Sequence, residues 1–431
     1  MQNVIIAQSG GPTAVINASL LGVVEGCRSY PGRFGRIYAA HHGVEGILRE
    51  ELIDLTSQDQ REMQYLRTTP AAGAIGTCRY KIKGQQTEDF ERIVDVFRTH
   101  SVGAFFYIGG NDSMDTAHRI SGLARDRGLD VVCVGVPKTI DNDLGDPERI
   151  LIDHTPGYGS VARYWANMIL GLNEENRGSC PADPVMVVQA MGRRIGFIPA
   201  AARLADPLRE MPLLIVLPES RITLSELTRA VRQQVKSSGR AMVIVSEGFD
   251  VGNESQSADS FGHTQFGSVK ISVMQTLINH LNACGLPARG AARGQIPGTH
   301  QRHSIVNASA VDLSEAYEVG RHAASIAQSN GTGYMATIVR EPGAEYSVRY
   351  DKAPLMAMAN SERTFPAEWI ADSGTDVSDE FVAYATPLLG TDSPSIPMEK
   401  GLPRFARLSL KFVEKRCVAY VPEAHRERTS L

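Results

Sequence analysis

The stretch VVCVGVPKTIDND, residues 131–143, decides the fold class of this sequence. Its first six residues form a continuous apolar run, and a loop with one lysine and two aspartates follows at once. Strands buried on both faces of a parallel sheet have such continuous runs, whereas half-exposed strands alternate polar and apolar residues. The stretch therefore predicts a buried parallel strand that carries a polar loop at its carboxyl end.

Similar apolar runs recur through the first 250 residues, separated by longer stretches with helical periodicity. The predicted strands are residues 4–6, 104–108, 131–136, 185–188, 213–217 and 242–245. The predicted helices between them include residues 14–27, 88–99 and 224–235. Buried strands that alternate with helices predict a doubly wound α/β fold, in which ligands bind at the carboxyl ends of the strands.

Length and composition exclude several classes of protein. The chain has 431 residues, which fits two or three lobes, and 42% of them are hydrophobic, as in ordinary globular proteins. With 44 Lys+Arg and 48 Asp+Glu, the formal net charge is −4, which argues against a broad nucleic-acid-binding surface. No apolar run approaches the roughly 20 residues of a membrane-spanning helix. Six scattered cysteines without a CxxC pair indicate reduced thiols and a cytoplasmic protein.

The domain organisation is predicted from shifts in composition. We expect an N-terminal α/β lobe over residues 1–160 and a second α/β lobe over residues 161–335. Pro-punctuated segments from about residue 340 onward predict a C-terminal extension, residues 336–431, that packs on the body. Residues 250–267 are polar and have no periodicity, which fits either a surface loop or an insertion near the active site.

Two glycine pairs directly follow predicted strands. Gly10 and Gly11 lie in SGGPT, residues 9–13, and a second pair opens GGNDS, residues 109–113. Glycines let the backbone approach an anion closely, and the helix that follows offers free N–H groups and the positive end of its dipole. The first loop by itself is also consistent with a tight turn between strand and helix, and the second with a helix cap formed by Asp112 or Ser113.

The third loop is PKTIDND, residues 137–143, in which Lys138 precedes Asp141 and Asp143. Two carboxylates two residues apart suggest one acid–base group and one metal ligand, although an ordinary polar turn has the same composition. Three such loops after three strands together favour phosphoryl transfer. That chemistry needs amide cradles for phosphate, cationic side chains, Mg²⁺ and one base.

Beyond these loops, the sequence resembles the phosphofructokinase family, and within it the pyrophosphate-dependent branch. The resemblance covers nearly the whole chain and rests on GGPTAVIN at 10–17, GTCRYK at 76–81, GGNDS at 109–113, PKTIDND at 137–143, DHTPGYGS at 153–160, AMGRRIG at 190–196, SEG at 246–248, PGTHQR at 297–302 and EWI at 368–370. It implies two doubly wound, mainly parallel-sheet lobes with the active site between them. PKTIDND together with the MGR segment is the most specific part of the pattern.

For the phosphoryl donor, the resemblance implies that Gly10, Gly11, Arg79 and Lys138 bind the diphosphate. Lys138 and Asp112 also distinguish the two branches, because ATP-using relatives carry glycine at both positions. A carboxylate at position 112 would occupy the space of an α-phosphate and repel its charge. A lysine at position 138 would place a fixed positive charge on the transferring phosphoryl group.

For the reacting centre, the resemblance implies that Asp141 is the general base that takes the proton from the sugar 1-hydroxyl. Asp143 would support this base and bind Mg²⁺. Thr139 and Ile140 fall among the substrate-binding positions of the same motif. Asn111 stands where many relatives have an aspartate that serves the metal, and an amide oxygen is a weaker ligand for Mg²⁺.

For the acceptor, the resemblance implies sites in the second half of the chain. The matching positions are Met191, Gly192, Arg193, Glu247, Arg293 and Arg302. Glu247 would hold sugar hydroxyls, and the arginines would hold the 6-phosphate, with Arg293 usually acting across a subunit interface. The stretch 181–184 lacks an arginine that ATP-using bacterial relatives have there, so Arg194 is an alternative phosphate ligand.

The resemblance thus implies an Mg²⁺-dependent, reversible transfer from pyrophosphate to O1 of fructose 6-phosphate by a homo-oligomer, a dimer or a tetramer. Three alternatives stay open at this point. The chain can use ATP instead, act on sedoheptulose 7-phosphate with the same donor, or be a non-catalytic regulatory homologue. Asp112 and Lys138 argue against ATP, and the presence of Asp141, Asp143 and Arg193 argues against a silent homologue.

Overall fold

The computed structural model describes residues 1–82, 86–252, 257–258, 264–265, 271–359 and 361–426. The strands are β1 Gln2–Gln8, β2 Phe34–Ala40, β3 Leu52–Asp54, β4 Val102–Gly109, β5 Val132–Pro137, β6 Val185–Ala190, β7 Leu213–Val216, β8 Ala241–Ser246, β9 Ser257–Ala258, β10 Thr264–Gln265, β11 Ala292–Gln295, β12 Tyr334–Arg340, β13 Val348–Pro354, β14 Met398–Glu399 and β15 Leu402–Pro403. Most of the polar stretch 250–267 lies outside the described residues.

The helices alternate with the longer strands. They are α1 Ile16–Arg28, α2 Val44–Leu48, α3 Gln60–Tyr65, α4 Thr87–Thr99, α5 Asn111–Asp126, α6 Tyr158–Ser179, α7 Phe197–Ala200, α8 Leu224–Ser238, α9 Val273–Cys284, α10 His300–His303, α11 Ala310–Gln328, α12 Leu355–Met358, α13 Asp379–Leu389 and α14 Glu423–Arg426. Within the described ranges, no helix combines the length and apolarity needed to cross a membrane.

The described chain divides into two compact units, each assembled from separate segments. The first contains residues 1–157, 310–363 and 392–431, and the second contains residues 158–309 and 364–391. The sequence predicts three contiguous ranges instead. The difference arises because α11 packs on α1, while β12 pairs with β5 and β13, so these late elements belong to the first unit.

The first unit is built on a sheet whose described strands run in the order β13-β12-β5-β4-β1-β2-β3. The five central strands are parallel, and β3 and β13 are antiparallel edges. A hydrophobic cluster covers each face of this sheet. Neighbouring residues of one strand point to opposite faces, so Ile5 belongs to one cluster and Val4 to the other. Burial on both faces explains why these strands read as continuous apolar runs.

The second unit contains a parallel sheet with the order β11-β6-β8-β7 among its described strands. Its core combines strand residues such as Val187 and Val243 with Leu227 and Val231 of α8 and Leu281 of α9. Each of the six strands predicted from the sequence overlaps an observed strand of one of the two sheets. The predicted α/β fold with two mainly parallel sheets is confirmed.

Close packing of α1 against α11 requires a glycine at position 22. A Cβ atom there would overlap the carbonyl group of Tyr317, whose carbon lies 2.9 Å from the ideal Cβ position, and would lie 3.1 Å from the backbone nitrogen of Arg321. Backbone atoms cannot rotate away as a flexible side chain can. The helices approach at this distance only because the side chain is absent.

We therefore expect Gly22→Ala to lower the melting temperature, because overpacking of a tight contact typically destabilises by about 1–3 kcal/mol. Gly122→Ala is the matched control, since Gly122 lies inside α5 with open space around it. That change should stabilise slightly, by about 0.5–1 kcal/mol, through helix propensity. Thermal unfolding followed by circular dichroism separates the two effects, and equal melting temperatures would contradict the packing argument.

Candidate active site

The three loops singled out by sequence lie next to one another at one edge of the first sheet. Strand β4 pairs in parallel with both β1 and β5, so the loops that follow these strands begin side by side. The Ser9 N–H donates to the Ile108 carbonyl at 2.9 Å, and the Lys138 N–H donates to the Gly109 carbonyl at 3.0 Å. The backbone therefore joins the three loops directly.

A fourth segment, from the GTCRYK motif, pairs with the first loop. The Gly10 N–H donates to the Cys78 carbonyl at 2.9 Å, and the Thr77 hydroxyl donates to the Gly10 carbonyl at 3.0 Å. Gly10 has a φ of 78°, a conformation that favours glycine. This pairing brings Arg79, which is partly buried, into the neighbourhood of the glycine loop.

Lys138 is a buried cation among these loops. Its side chain is almost fully enclosed, at 3% exposure, and its Nζ donates to the Gly11 carbonyl at 2.8 Å. A Cβ atom at Gly10 would lie 3.2 Å from Nζ. The ammonium group thus sits against a backbone that has no side chains here, which is the arrangement that a phosphate group requires for close approach.

The N-terminus of α5 adds the positive end of a helix dipole to the same edge. Its first residue, Asn111, accepts the Asp112 N–H through Oδ1 at 2.9 Å and donates from Nδ2 to the Ser361 carbonyl at 2.8 Å. Both ends of the amide are therefore bonded to backbone. The proposed metal role of Asn111 stays a prediction, and the observed bonds make it a link between α5 and Ser361.

Asp112 forms an ion pair that sequence reasoning missed. The Nζ of Lys81 lies 2.6 Å from Oδ1 of Asp112, and both side chains are 41% exposed. Lys81 is the last residue of the GTCRYK motif, and a positive charge in a motif assigned to anion binding was the sequence feature that could have indicated this pair. The carboxylate predicted to exclude ATP is thus held in place by a cation.

The loop after β5 brings two carboxylates together. The Thr139 hydroxyl accepts the Asp141 N–H at 3.1 Å and hydrogen-bonds the Asp143 carboxylate. Burial, and after it the charge of Asp141, raises the pKa of Asp143 to about 7. Ile140 is buried. The arrangement gives two adjacent acids with different environments, as acid–base chemistry requires.

Residues 153–157 support this loop from behind. The Thr139 N–H donates to the Pro156 carbonyl at 3.2 Å, and the Thr155 N–H donates to Oδ1 of Asn142 at 3.1 Å. The second bond stabilises Asn142 in a left-handed conformation, with a φ of 57°. Asp312 of α11 in turn accepts the Gly157 N–H at 2.9 Å.

His154 anchors the supporting segment to α11 through charge. Its Nδ1 lies 2.8 Å from Asp153, and its Nε2 lies 2.8 Å from Glu315. Burial opposes the charged ring, but the two carboxylates outweigh burial and raise the pKa of His154 to about 10. The imidazole is therefore protonated at neutral pH and serves as a buried cationic link, which the DHTPGYGS motif alone did not reveal.

In the second unit, the MGR segment follows β6 and is held by Gln301. This buried side chain accepts the Met191 N–H and the Trp165 indole N–H, each at 3.1 Å, and donates to the Gly298 carbonyl at 2.9 Å. Gln301 is part of the PGTHQR motif. Its contacts are with the protein itself, so it positions the segment.

Glu247 and Arg193 lie together after β8 and β6. The Arg193 N–H donates to Oε1 of Glu247 at 3.3 Å, and the Glu247 N–H donates to the Ala190 carbonyl at 2.9 Å. Burial raises the pKa of Glu247, and the backbone and charge of Arg193 oppose this rise. Gly192 adopts a φ of 129°, which only glycine reaches easily, so the chain can turn here beside the carboxylate.

The two predicted phosphate-binding arginines occupy different elements. Arg302 lies on α10 and is partly buried. Arg293 lies on β11, opposite Met186 of β6, and four further residues of β6 separate that level from Met191. Its side chain is 72% exposed and pairs with Asp183. The structure therefore does not bring Arg293 to the Met191–Arg193 segment within one chain.

Glu219 is a further, partly buried acid that sequence reasoning missed. It follows β7 and accepts the Gly196 N–H at 3.1 Å and the Phe365 N–H at 3.4 Å through Oε1. Its other oxygen is buried without a hydrogen-bond partner in the described part of the chain. Burial raises the pKa of Glu219 to about 7. A carboxylate directly after a buried strand was the available signal.

Comparison with known proteins agrees with this geometry. The profile of the family described as phosphofructokinase matches residues 3–347. The chain is 37% identical over 428 residues to a pyrophosphate–fructose 6-phosphate 1-phosphotransferase of Halomonas elongata, across 96% of this chain and 98% of that protein. A protein of the same name from Methylococcus capsulatus is also 37% identical, across 97% of this chain and 98% of its own.

A solved structure extends the similarity to the fold. A pyrophosphate-dependent phosphofructokinase from Nitrosospira multiformis is 34% identical to this chain and superposes with a TM-score of 0.88. The match covers 97% of this chain and 100% of the other.

The raised pKa of Glu219 predicts a pH dependence of stability. Between about pH 4.5 and pH 7 the folded protein holds a proton that the unfolded chain releases, so this contribution to stability falls as pH rises through that window. We expect Glu219→Gln to remove it, so that the melting temperature of the variant relative to wild type rises from pH 5 to pH 8. Glu210→Gln, at an exposed glutamate, is the control and should show no such trend.

Proposed function

Because the chain belongs to the phosphofructokinase family, we propose that it transfers a phosphoryl group from pyrophosphate to O1 of fructose 6-phosphate. The products are fructose 1,6-bisphosphate and phosphate, and the reaction is reversible and glycolytic. The observation that carries the proposal is the full-length similarity to enzymes of that name, together with Asp112 and Lys138 on adjoining loops.

The donor site is supported by the geometry of the first unit. Gly10 and Gly11 offer unobstructed backbone, Lys138 provides a buried positive charge, and Arg79 lies on the segment paired with Gly10. A dianionic phosphate close to a fixed cation in a site of low dielectric gains far more than it would in water. We assign diphosphate binding to these four residues.

The chemical step is assigned to Asp141. Its carboxylate takes the proton of the sugar 1-hydroxyl as O1 attacks the nearer phosphorus of pyrophosphate in line. The new O1–P bond forms while the bond from that phosphorus to the bridging oxygen breaks, and phosphate leaves with the bridging oxygen. Lys138 offsets the negative charge that develops on the transferred group. Asp143, bonded to Thr139, keeps the Asp141 loop in its conformation.

The residues present fit a role for Mg²⁺. Asp143 lies beside a second carboxylate, that of Asp141, and a cation would offset the repulsion between them. No group of three or more His, Cys, Asp or Glu side chains in the described ranges is arranged to hold a metal ion alone. Mg²⁺ usually binds one or two carboxylates plus substrate phosphates, so Asp143 with the donor is the site we propose, and Asn111 is a secondary candidate. When bound, Mg²⁺ neutralises charge on the phosphates.

The acceptor is assigned to residues of the second unit. Arg193 and Arg302 would bind the 6-phosphate, and the Glu247 carboxylate would accept hydrogen bonds from sugar hydroxyls. Met191 and Gly192 would contribute their backbone. The proximity of Glu247 to Arg193 and the support of the segment by Gln301 favour these roles.

We further propose a cytoplasmic homo-oligomer. Arg293 is a predicted phosphate ligand, yet its register on β11 keeps it away from the Met191–Arg193 segment of its own chain. A second copy that receives this exposed side chain would reconcile the two observations. A cytoplasmic location is supported by the six scattered cysteines, which have no spacing for a disulfide framework or a zinc site.

The donor is tested by a competition assay with fructose 6-phosphate. Wild type should turn over pyrophosphate and leave ATP nearly inert. Asp112→Gly should admit ATP because it removes both the volume and the charge at position 112, whereas Asp112→Asn keeps the volume and should admit ATP less. The measurement is kcat/KM for both donors, and a wild type that prefers ATP would refute the proposal.

The base is tested by Asp141→Asn, which should lower kcat at least about 100-fold, since loss of a general base typically costs 10²–10⁴-fold. KM for fructose 6-phosphate should change little. Glu148→Gln is an isosteric control at an exposed glutamate further along the same loop. It should keep turnover within about threefold of wild type, and near-normal turnover of the Asp141 variant would exclude the assigned role.

A further inference from the structure

Residues 361–363, far from the catalytic loops in sequence, contact two of those loops at once. The Ser361 carbonyl accepts Nδ2 of Asn111 at 2.8 Å, which joins the segment to the start of α5. The Ser361 hydroxyl accepts the Gly145 N–H at 3.2 Å and donates to the Met358 carbonyl at 2.9 Å. The segment therefore bridges the loop before α5 and the loop that carries Asp143.

Arg363 makes most of the bonds of this bridge. The side chain is fully buried, and the backbone N–H donates to the Asp143 carbonyl at 2.7 Å. The guanidinium group donates to the carbonyls of Asp146 at 3.0 Å and Asp153 at 2.7 Å, and also to Ile152. One planar group thus fixes both ends of the chain between Asp146 and Asp153, because its several N–H groups donate to backbone carbonyls at each end.

The fit around the guanidinium group is close. Gly145 has a φ of 114°, and a Cβ atom there would lie 2.9 Å from Nη2 of Arg363. Residues 153–157, which begin at the Arg363 contact, are the same residues that support Thr139 and Asn142 from behind. Arg363 therefore acts on the catalytic loop from both directions along the chain.

We propose that the 361–363 segment is a positioning element for the phosphoryl transfer, with Arg363 as its central residue, and this proposal rests on the function proposed above. Neither Arg363 nor Ser361 touches reacting atoms. The segment acts by fixing where Asp141, Asp143 and the N-terminus of α5 lie relative to one another. Misplacement of a reacting group by about 1 Å can lower a rate about 100-fold, so small changes in this bridge should have large kinetic effects.

The test compares Arg363→Lys with Arg203→Lys. Arg203 is also a buried arginine, and its hydrogen bonds end on Asp206, Leu213 and Asp376, none of which belongs to the catalytic loops. A lysine has one ammonium group and cannot reproduce a planar guanidinium with three directed contacts. Both variants should lose thermal stability to a similar degree.

Kinetics separates positioning from general destabilisation. With pyrophosphate and fructose 6-phosphate, Arg363→Lys should lower kcat about 10-fold to 100-fold with KM for the sugar phosphate within about threefold. Arg203→Lys should keep kcat within about twofold. If the two variants lose stability equally and have equal kcat values, the proposal is refuted. A wild type without pyrophosphate-dependent turnover would instead refute the function on which it rests.

A milder variant decides the matter if Arg363→Lys does not fold. Ser361→Ala removes the acceptor of the Gly145 N–H and leaves Arg363 in place, so kcat should fall about threefold to tenfold with a small loss of stability. Hydrogen exchange of peptides spanning residues 141–157 should be faster in this variant than in wild type. Unchanged exchange together with unchanged kcat would overturn the positioning role.

Discussion

Parallel pairing of β1, β4 and β5 is the constraint that brings the glycine loops and the PKTIDND loop together. The register sets Gln8 beside Ile108 and Gly109 beside Pro137, so the three strands end at nearly the same level. Loops that follow adjacent parallel strands of equal extent begin side by side. Residues separated by more than 100 positions are therefore brought together by backbone pairing, and the Lys138 side chain can then donate to the Gly11 carbonyl.

The convergence of these loops brings two negative carboxylates close together, and positive groups nearby offset their repulsion. Asp141 and Asp143 are close enough to raise the pKa of Asp143, and burial adds to the effect. Lys138 and the N-terminus of α5 supply positive potential at the same edge, and a divalent cation would add more. The same positive potential attracts a polyanionic donor. A site that tolerates two adjacent carboxylates is thus already suited to bind phosphates.

Features that lie within a short window of the sequence were predictable, whereas contacts between residues far apart in the chain were not. The strands, the glycine loops and the PKTIDND loop were predictable, because apolar runs, glycines and clustered charges lie within short windows. Most of β12 and all of β13 were assigned to a C-terminal extension, since the Pro-punctuated segments hid a strand pair that joins the first sheet through β5, about 200 residues earlier. Arg363 and Glu219 act through contacts with distant backbone groups that no short motif encodes.

Two groups with raised pKa values, His154 behind the catalytic loop and Glu219 in the second unit, change the stability of the protein with pH in the same direction. His154 has a folded-state pKa near 10 against an ordinary value of 6.5, so its contribution is complete below pH 6.5 and declines as pH rises toward 10. The contribution of Glu219 to stability declines at lower pH, between about pH 4.5 and pH 7. The geometry at His154 nevertheless persists, because the ring remains protonated in the folded protein until the pH approaches 10. Moderate alkalinity therefore reduces the free energy of unfolding while leaving the support of the catalytic loop unchanged.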